Sequence, residues 1–334
     1  MVRFTVLASG SKGNSTVVCG GRTRILVDAG ISCRELFRRM KQAGEEPETL
    51  DAIVITHEHM DHVSGLAVTA RKLDIPVYFT EATHRAWMRW LTPRRQMTYA
   101  QWLEQCRRQA AERQAEAEAV GKEGEPDEPE AEVQPATVAA EPVMEQACEL
   151  ASEPASGRPP SRKEDPTWLP SVEYFQAGQP FEIGDIAVSP FTIPHDAADP
   201  VGFAFRAEGV RMAFATDLGY IPPNVKAQLQ GVDLLLLESN HDLEMLRDGP
   251  YPWAVKQRVL SRVGHLSNEA AAEFLENSYD GQAAYVILAH LSESNNLPEL
   301  ARVTAERALN GRASLLANRL LLAAQYEPLS AIYF

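Results

Sequence analysis

The chain has 334 residues, 45% of them hydrophobic, and a formal net charge of −14 at pH 7. This length allows one large domain or two small ones with a substantial core, and no apolar run approaches the roughly 18 residues that span a bilayer. A negative charge at first argues against a nucleic-acid partner. However, residues 101–170 hold 16 acidic and 7 basic residues and contribute −9 of the −14, so the remainder is only mildly acidic.

The N-terminal apolar segment and the cysteines indicate the cellular compartment. Residues 4–8 form too short an apolar run for a secretory signal peptide, so a cytoplasmic location without membrane association is expected. The four cysteines are far apart in the chain and form no C-x-x-C pair. We therefore predict free thiols, with neither a disulfide framework nor a cysteine zinc site.

The first 90 residues alternate between strand and helix patterns. Runs rich in Val, Phe, Thr and Ile, separated by Gly and Ser loops, predict strands. The predicted strands are 2–9, 15–19, 23–28, 51–55 and 76–79, and the predicted helices are 34–44, 64–73 and 81–90.

Residues 91–170 have a different composition, dominated by Asp, Glu, Pro, Ala and Gln, and large aliphatic residues nearly vanish between 104 and 168. Residues 101–120 are predicted to form a charged helix, and the rest has the composition of a disordered acidic linker. Because a structureless loop of this length is uncommon inside a compact domain, we interpret 91–170 as an insertion. Residues 1–90 and 171–334 then form a single domain.

The second half of the chain again alternates between strands and helices. Strands are predicted at 172–175, 186–193, 201–206, 210–215, 232–238 and 285–289, followed by two C-terminal strands, and helices at 222–230, 267–278 and 297–309. Two blocks of strands, each interleaved with helices, predict an α/β fold with two facing sheets between helices, a four-layer αββα sandwich.

The most informative motif is His57-Glu58-His59-Met60-Asp61-His62, which directly follows the apolar run 52–55. On a helix the first and last histidines of this motif would lie on different faces, whereas in a turn after a strand all the polar groups can converge. Neutral imidazole and carboxylate groups suit zinc, manganese or iron(II), and four such groups suit more than one ion. The motif therefore predicts a metal centre.

Three later residues of ligand type also follow apolar runs. His195 follows 186–193, Asp217 follows the strand 210–215, and His290 ends the strand 285–289. Each alone is more typical of an ordinary core or surface side chain. Together, at strand ends where a rigid sheet can hold them, they predict the remaining ligands.

These patterns resemble the metallo-β-lactamase superfamily. The resemblance rests on Val27-Asp28-Ala29-Gly30, Thr56-His-x-His-x-Asp-His62, an isolated later His, Thr216-Asp217 and a late His at a strand end, and covers the chain except 91–170. It implies two divalent ions with a water or hydroxide between them. The first ion would take His57, His59 and His195, the second Asp61, His62 and His290, and Asp217 would bridge both. Asp28 would support the motif loop through hydrogen bonds.

Further segments resemble the YycJ/WalJ branch of that superfamily. They are Ala8-Ser-Gly-Ser-x-Gly-Asn14, Pro194-His-Asp-Ala197, Glu238-Ser-Asn-His-Asp242, Gly264-His-Leu-Ser-Asn268 and His290-Leu-Ser-x-x-Asn-Asn296. The branch implies a nuclease with exonuclease activity on double-stranded DNA. The chain departs from the compact members of the branch through 91–170, an acidic segment that would repel nucleic acid near the site.

Other candidate residues are assigned with less specific signals. His265 opens a predicted helix, whose positive terminus favours phosphate, and the resemblance to ribonuclease Z-like phosphodiesterases implies that it assists the leaving group as a general acid. Asp61 is assigned a catalytic role as well as a ligand role. Asn14 would brace the metal loops, the alternative being a simple tight turn. His241 either lines the site or coordinates, the alternative being an exposed loop, and His84 is predicted on a helix surface.

Seven basic residues are available for contacts with a phosphate backbone, the alternative for each being ordinary surface charge: Lys12, Arg34, Arg38, Arg39, Lys256, Arg258 and Arg262.

Three functions are compatible with this pattern. The leading hypothesis is a dinuclear metal phosphodiesterase that acts on nucleic acid, DNA rather than RNA. The alternatives are a phosphodiesterase or ester hydrolase for small molecules, and a non-catalytic metal-binding regulator that docks a protein partner through 91–170. The metal (Zn, Mn or Fe) and the oligomeric state stay open.

Overall fold

The computed structural model describes residues 1–92, 165–309 and 319–334. The predicted helix 101–120, Cys106, Cys148 and most of the acidic stretch lie outside the described residues. Within them, the chain forms two mixed sheets of seven strands each, with helices on the outer face of each sheet.

The first sheet is built from the N-terminal part of the chain and the last strand. From one edge to the other it contains β14 (Ile332–Tyr333), β1 (Arg3–Ala8), β2 (Ser15–Cys19), β3 (Arg24–Val27), β4 (Ala52–Val54), β5 (Pro76–Phe79) and β6 (Ser171–Tyr174). The pairs from β14 to β3 are antiparallel, and those from β3 to β6 are parallel.

The second sheet is built from strands between residues 181 and 322. In order it contains β13 (Arg319–Leu322), β12 (Tyr285–Ala289), β11 (Leu234–Glu238), β10 (Val210–Ala215), β9 (Val201–Ala207), β8 (Ile186–Thr192) and β7 (Phe181–Ile183). The pairs from β13 to β10 are parallel, and those from β10 to β7 are antiparallel. The strand β7 was not predicted.

The helices begin where polar side chains cap their first turns. Ser32, Thr80 and Ser267 each accept a hydrogen bond from a backbone N–H three residues on, which satisfies a donor that the helix leaves free. The helices are α1 (Cys33–Gln42), α2 (Met60–Val63), α3 (Leu66–Leu73), α4 (Glu81–Leu91), α5 (Pro223–Gln228), α6 (Leu243–Asp248), α7 (Trp253–Val259), α8 (Asn268–Asn277) and α9 (Pro298–Leu309), with a 3-10 turn at Pro47–Thr49. The sequence reading missed α6, α7 and the short α2.

Three apolar clusters hold the layers together and confirm the predicted αββα sandwich. The central cluster joins the two sheets and includes Phe4, Phe203 and Phe205. A second cluster packs α5, α8 and α9 on one sheet, and a third packs α1, α3 and α4 on the other. Burial of such side chains at about 25 cal/mol per Å² is the main stabilising contribution to a fold of this size.

Parallel strands bring distant residues to one edge of each sheet. Ala215 is in register with Leu237, and Leu237 with Leu288, so the residues that follow β10, β11 and β12 lie at one level. In the other sheet Val27 is in register with Val54, which places the residues after β3 and β4 together. The His57–His62 motif and the later candidate ligands therefore emerge at carboxyl ends of strands.

The prediction that His84 lies on a helix surface was wrong. His84 is on α4 but points inward: its ring stacks on Phe79 with centroids 4.8 Å apart, and its Nδ1 lies 2.8 Å from Tyr174 Oη. It belongs to the apolar stripe that also contains Thr83 and Trp87.

Cys19 and Cys33 are free and buried, in agreement with the cysteine prediction for this part of the chain. None of the described helices is long and apolar enough to cross a membrane.

Candidate metal centre

Three imidazoles converge after β4 and β8. His57 and His59 lie in the segment between β4 and α2, and His195 follows β8. His59 Nδ1 lies 3.1 Å from His57 Nε2 and 3.2 Å from His195 Nε2. Two nitrogens that share a tetrahedral zinc ion, each about 2.0–2.1 Å from it, are about 3.3 Å apart. The spacing of these three nitrogens therefore fits a divalent ion.

The protonation of this first cluster suits a cation as well. Burial lowers the pKa of His57 and His195, and lowers that of His59 to about 4. The three imidazoles are therefore neutral near pH 7 and present lone pairs. The Nδ1–H of His195 donates to the Gly264 carbonyl at 3.1 Å, which leaves its Nε2 facing the cluster.

A second cluster contains Asp61, His62 and His290. Asp61 Oδ2 lies 3.5 Å from His62 Nε2 and 3.4 Å from His290 Nε2. Asp217 adjoins it, with Oδ2 3.4 Å from His62 Nε2 and Oδ1 3.4 Å from His290 Nδ1. Asp217 also groups with His57, so this carboxylate lies between the two clusters.

The charges of the second cluster also fit a bound cation. Burial opposes protonation of His62 and His290, but the carboxylates around them, with Asp217 foremost, raise the pKa of both imidazoles well above the usual value. Asp217 Oδ2 is buried without a hydrogen-bond partner among the described residues. A buried anionic oxygen of this kind needs positive charge beside it, which a divalent ion would supply.

Asp28 supports one histidine of each cluster. It accepts a hydrogen bond from His62 Nδ1 at 2.8 Å and from the Thr56 hydroxyl at 2.9 Å. Thr56 Oγ1 in turn lies 3.0 Å from His57 Nδ1 and accepts a hydrogen bond from its N–H. Because each Nδ1 donates its hydrogen away from the site, each Nε2 is the nitrogen that faces the site and that a metal ion would take.

Glu238, at the end of β11, has the matching role on the other sheet, and the sequence reading gave it no role. It is fully buried, and its Oε1 accepts hydrogen bonds from His265 Nδ1 at 2.8 Å and His290 Nδ1 at 2.9 Å. Its Oε2 accepts from the backbone N–H groups of Leu218 and Leu266. The available signal was the charged residue that ends an otherwise purely leucine strand.

His265 lies beside both clusters. Its ring centroid is 5.1 Å from that of His195 and 5.2 Å from that of His290, and its Nδ1 is 3.8 Å from Asp217 Oδ1. Its side chain is 20% exposed, more than those of His195 and His290. Glu238 fixes the Nδ1–H of His265, so its Nε2 is the nitrogen left for a substrate.

Asn14 packs against the second cluster. Its Nδ2 lies 3.1 Å from His62 Nε2 and 3.3 Å from Asp61 Oδ2, and its backbone N–H donates to the Asp61 carbonyl at 2.7 Å. Gly30 makes this close packing fit, since a Cβ there would lie 1.7 Å from the Asp61 carbonyl oxygen. The turn at Asn14 therefore packs directly against α2 and its two candidate ligands.

His241 is buried, which excludes the exposed-loop interpretation. Neither ring nitrogen has a hydrogen-bond partner among the described residues, and burial lowers its pKa to about 4. The structure does not bring it into either imidazole–carboxylate cluster.

Three residues of the centre have strained backbones. Asp28, Asp217 and His290 have φ values of 59°, 60° and 57°, a left-handed region that side chains other than glycine rarely adopt. Asp28 and His290 directly follow strands, and Asp217 lies two residues after the end of one. This strain, of order 1–3 kcal/mol per residue, turns each side chain from the strand end toward the centre.

Two of the basic residues considered for phosphate contacts have structural roles instead. Arg39 is buried and donates to the carbonyls of Leu7 and Gln325, and Lys256 is buried and donates to the Arg247 carbonyl. Arg258 pairs with Asp196, next to His195, and Arg262 lies 4.4 Å from the centroid of the Tyr220 ring.

Comparison with known proteins agrees with this geometry. Residues 8–255 match the family model of the metallo-beta-lactamase superfamily. The chain is 32% identical to "Exodeoxyribonuclease YycJ" of Bacillus anthracis, over 92% of this chain and 89% of that protein. It is 30% identical to "Exodeoxyribonuclease WalJ" of Streptococcus pneumoniae, over 90% and 86%. The crystal structure of the metallo-beta-lactamase fold protein YhfI from Bacillus subtilis shares the fold, with a TM-score of 0.57 and 14% identity over 98% of both chains. The chain therefore belongs to the metallo-beta-lactamase superfamily and is a metal-dependent hydrolase.

Proposed function

We propose that this hydrolase is a dinuclear metal phosphodiesterase that degrades DNA from an end. The observation that carries the proposal is the pair of clusters joined by Asp217, with His265 held beside both of them. The relatives that are about 30% identical over about 90% of the chain are exodeoxyribonucleases by name, which supports DNA over RNA as the substrate.

The proposed ligand assignment follows the clusters. One ion would be held by His57, His59 and His195, and the second by Asp61, His62 and His290, with Asp217 shared. When bound, such a pair supplies an ionised water as nucleophile at neutral pH and stabilises the negative charge that develops on the phosphoryl group. An all-imidazole and carboxylate set accepts zinc, manganese or iron(II), of which zinc and manganese are our first choices.

The other residues of the centre act on protons and orientation. We assign His265 as the general acid that protonates the departing oxygen through Nε2, because Nδ1 is committed to Glu238. The Glu238 carboxylate holds the His265 ring in the orientation that this step requires, through the hydrogen bond that it accepts from Nδ1. Asp61, with 23% of its side chain exposed, orients the attacking water by accepting a hydrogen bond. Asp28 and Asn14 hold the ligands in place.

The proposal extends to the rest of the chain. Residues 1–90 and 171–334 form one catalytic domain, and 91–170 are an acidic insertion that docks a protein partner. The enzyme works in the cytoplasm.

A labelled duplex tests the proposed activity. Purified protein with added manganese or zinc should release label from one end of a duplex labelled at either the 5′ or the 3′ terminus. His59→Ala should abolish this release, since it removes a nitrogen from the first cluster. His84→Gln serves as the matched control, because His84 lies outside the centre, and should degrade DNA normally while it stays folded.

Three outcomes would contradict the proposal. Full nuclease activity of His59→Ala would refute the metal mechanism. Hydrolysis of a chromogenic bis-aryl phosphate without any loss of DNA would indicate a small-molecule phosphodiesterase. Two bound ions per chain with no hydrolysis of either substrate would favour a non-catalytic metal-binding regulator.

A further inference from the structure

An exposed lysine and an exposed tyrosine lie together on the loop that follows β1 and the segment that follows β13. Lys12 Nζ donates to Tyr326 Oη at 2.7 Å and pairs with Glu293 Oε2 at 2.6 Å. The Lys12 side chain is 61% exposed, and Tyr326 is 56% exposed. No aromatic ring of the described residues packs against Tyr326. This group of three has no part in the metal clusters described above.

The loop that carries Lys12 is tied to the metal centre at both ends. Ser9 Oγ accepts the backbone N–H of His290 at 2.7 Å, and Asn14 Nδ2 lies 3.1 Å from His62 Nε2. Glu293 follows His290 by three residues. Lys12 and Glu293 are therefore carried by segments that are anchored to the histidines of the second cluster.

A buried glutamine fixes the positions of both exposed residues. Gln325 Oε1 accepts the backbone N–H of Lys12 at 2.8 Å, and its Nε2 donates to the Gly13 carbonyl at 3.0 Å. Arg39 Nη1 donates to the Gln325 carbonyl at 2.6 Å. Gly10 leaves room for this amide, because a Cβ there would lie 2.6 Å from Gln325 Oε1. A pre-organised cation is worth more to a ligand than one on a mobile loop, because less entropy is lost on binding.

We propose that Lys12 and Tyr326 form a nucleotide subsite next to the metal centre, in which Lys12 binds a backbone phosphate and a base stacks on Tyr326. Glu293 occupies the phosphate position in the free protein. The inference rests on the proposed function and adds to it the residues that recognise the strand.

The chemistry of the three side chains supports this assignment. A phosphodiester and a carboxylate each offer anionic oxygens to an ammonium group, so the phosphate replaces Glu293 without leaving Lys12 unpaired. Glu293 is 36% exposed and is repelled by an approaching phosphate. The exposed phenol ring offers a flat apolar face, and stacking of this kind tolerates any base.

Binding of a phosphorothioate-protected, fluorescent duplex to the metal-loaded full chain tests the subsite. Lys12→Ala should weaken binding and reduce the slope of log Kd against log salt concentration by about one, the value of one lost phosphate contact. Tyr326→Leu should weaken binding about tenfold, whereas Tyr326→Phe, which keeps the ring, should retain most of the parental affinity. Glu293→Gln should tighten binding because it removes the internal competitor.

The control variant is Arg302→Ala, which removes an exposed cation that pairs with Glu306 on α9. It should leave the salt slope unchanged.

The results separate this inference from the proposed function. An unchanged Kd and salt slope in Lys12→Ala would overturn the subsite even if the parent protein degrades DNA. Weaker binding in Glu293→Gln would overturn the competitor role. If the parent binds the duplex through Lys12 but hydrolyses no DNA, the subsite stands and the exonuclease proposal fails. A parent that does not bind the duplex refutes both.

Discussion

Glu238→Gln tests how much the carboxylate that accepts hydrogen bonds from both His265 and His290 contributes to metal binding and turnover. The change keeps the size of the side chain and replaces one of two acceptor oxygens with an NH₂ donor. Oε2 faces the backbone N–H groups of Leu218 and Leu266, which cannot reverse, so the amide oxygen must take that side. The NH₂ group then faces the Nδ1–H groups of His265 and His290, where two donors meet.

The two imidazoles then lose their partner or change tautomer. A buried donor left unsatisfied costs about 1–3 kcal/mol. A change of tautomer moves the hydrogen of His290 to Nε2, the nitrogen that lies 3.4 Å from Asp61, and blocks it as a ligand. Loss of such a carboxylate–histidine contact typically lowers metal affinity or activity 10- to 100-fold. We expect Glu238→Gln to bind the second ion at least about tenfold more weakly and to lose turnover by a similar or larger factor.

Metal content by mass spectrometry, turnover on duplex DNA and the unfolding temperature measure these effects. Glu58→Gln is the matched control: Glu58 is also buried, and its Oε1 accepts a hydrogen bond from the Ala198 N–H, while its Oε2 has no hydrogen-bond partner among the described residues. It should retain both ions. If Glu238→Gln held two ions with parental affinity and turned over normally, the assigned role of Glu238 would be wrong.

The remaining predictions concern metal loading, packing and one thiol. Calorimetry in buffers of different ionisation enthalpy measures the protons released when ions bind to the metal-free protein near pH 7. Ion binding should release few protons from the first cluster, whose imidazoles are neutral. It should release protons from His62 and His290, whose pKa values are raised, so affinity for the second ion should fall more steeply as pH falls; equal release from both would contradict this. Gly30→Ala should destabilise the protein by about 3 kcal/mol or more in denaturant unfolding, and an unchanged midpoint would refute the packing argument. Burial raises the pKa of the Cys19 thiol to about 11. The neutral thiol therefore contributes fully to the free energy of unfolding below about pH 8.5, the pKa of the thiol in the unfolded chain, and this contribution is lost as pH rises toward 11. Iodoacetamide at pH 8.5 should therefore modify Cys19 only after the protein unfolds. Rapid labelling of Cys19 itself in the native protein, identified by peptide mass spectrometry, would refute this prediction.

The strand pattern and the metal motif could be predicted from sequence because both are local. Residues that follow an apolar strand leave the sheet at its edge, so the types and order of His57, Asp217 and His290 already indicated a centre. Parallel pairing was needed to bring them together, and only the structure shows that register.

Other features depend on contacts that no local pattern encodes. Glu238 was missed because it belongs to a buried strand, where a charged residue gains its role only through His265 and His290 from other parts of the chain. The positive φ of Asp217 is likewise a backbone feature that no residue pattern around it indicated. By contrast, burial of His84 was available from the spacing of Thr83 and Trp87 on the same helix face.

Each proposed ion would draw its ligands from both sheets. His57 and His59 follow a strand of the first sheet, whereas His195 follows a strand of the second; Asp61 and His62 likewise face His290. The ions would then act as non-covalent cross-links that close loops of more than 130 residues, in the manner of a disulfide. The concentration of free metal would then control the stability of this edge of the sandwich as well as its chemistry. The free energy of unfolding would grow with the logarithm of the metal concentration.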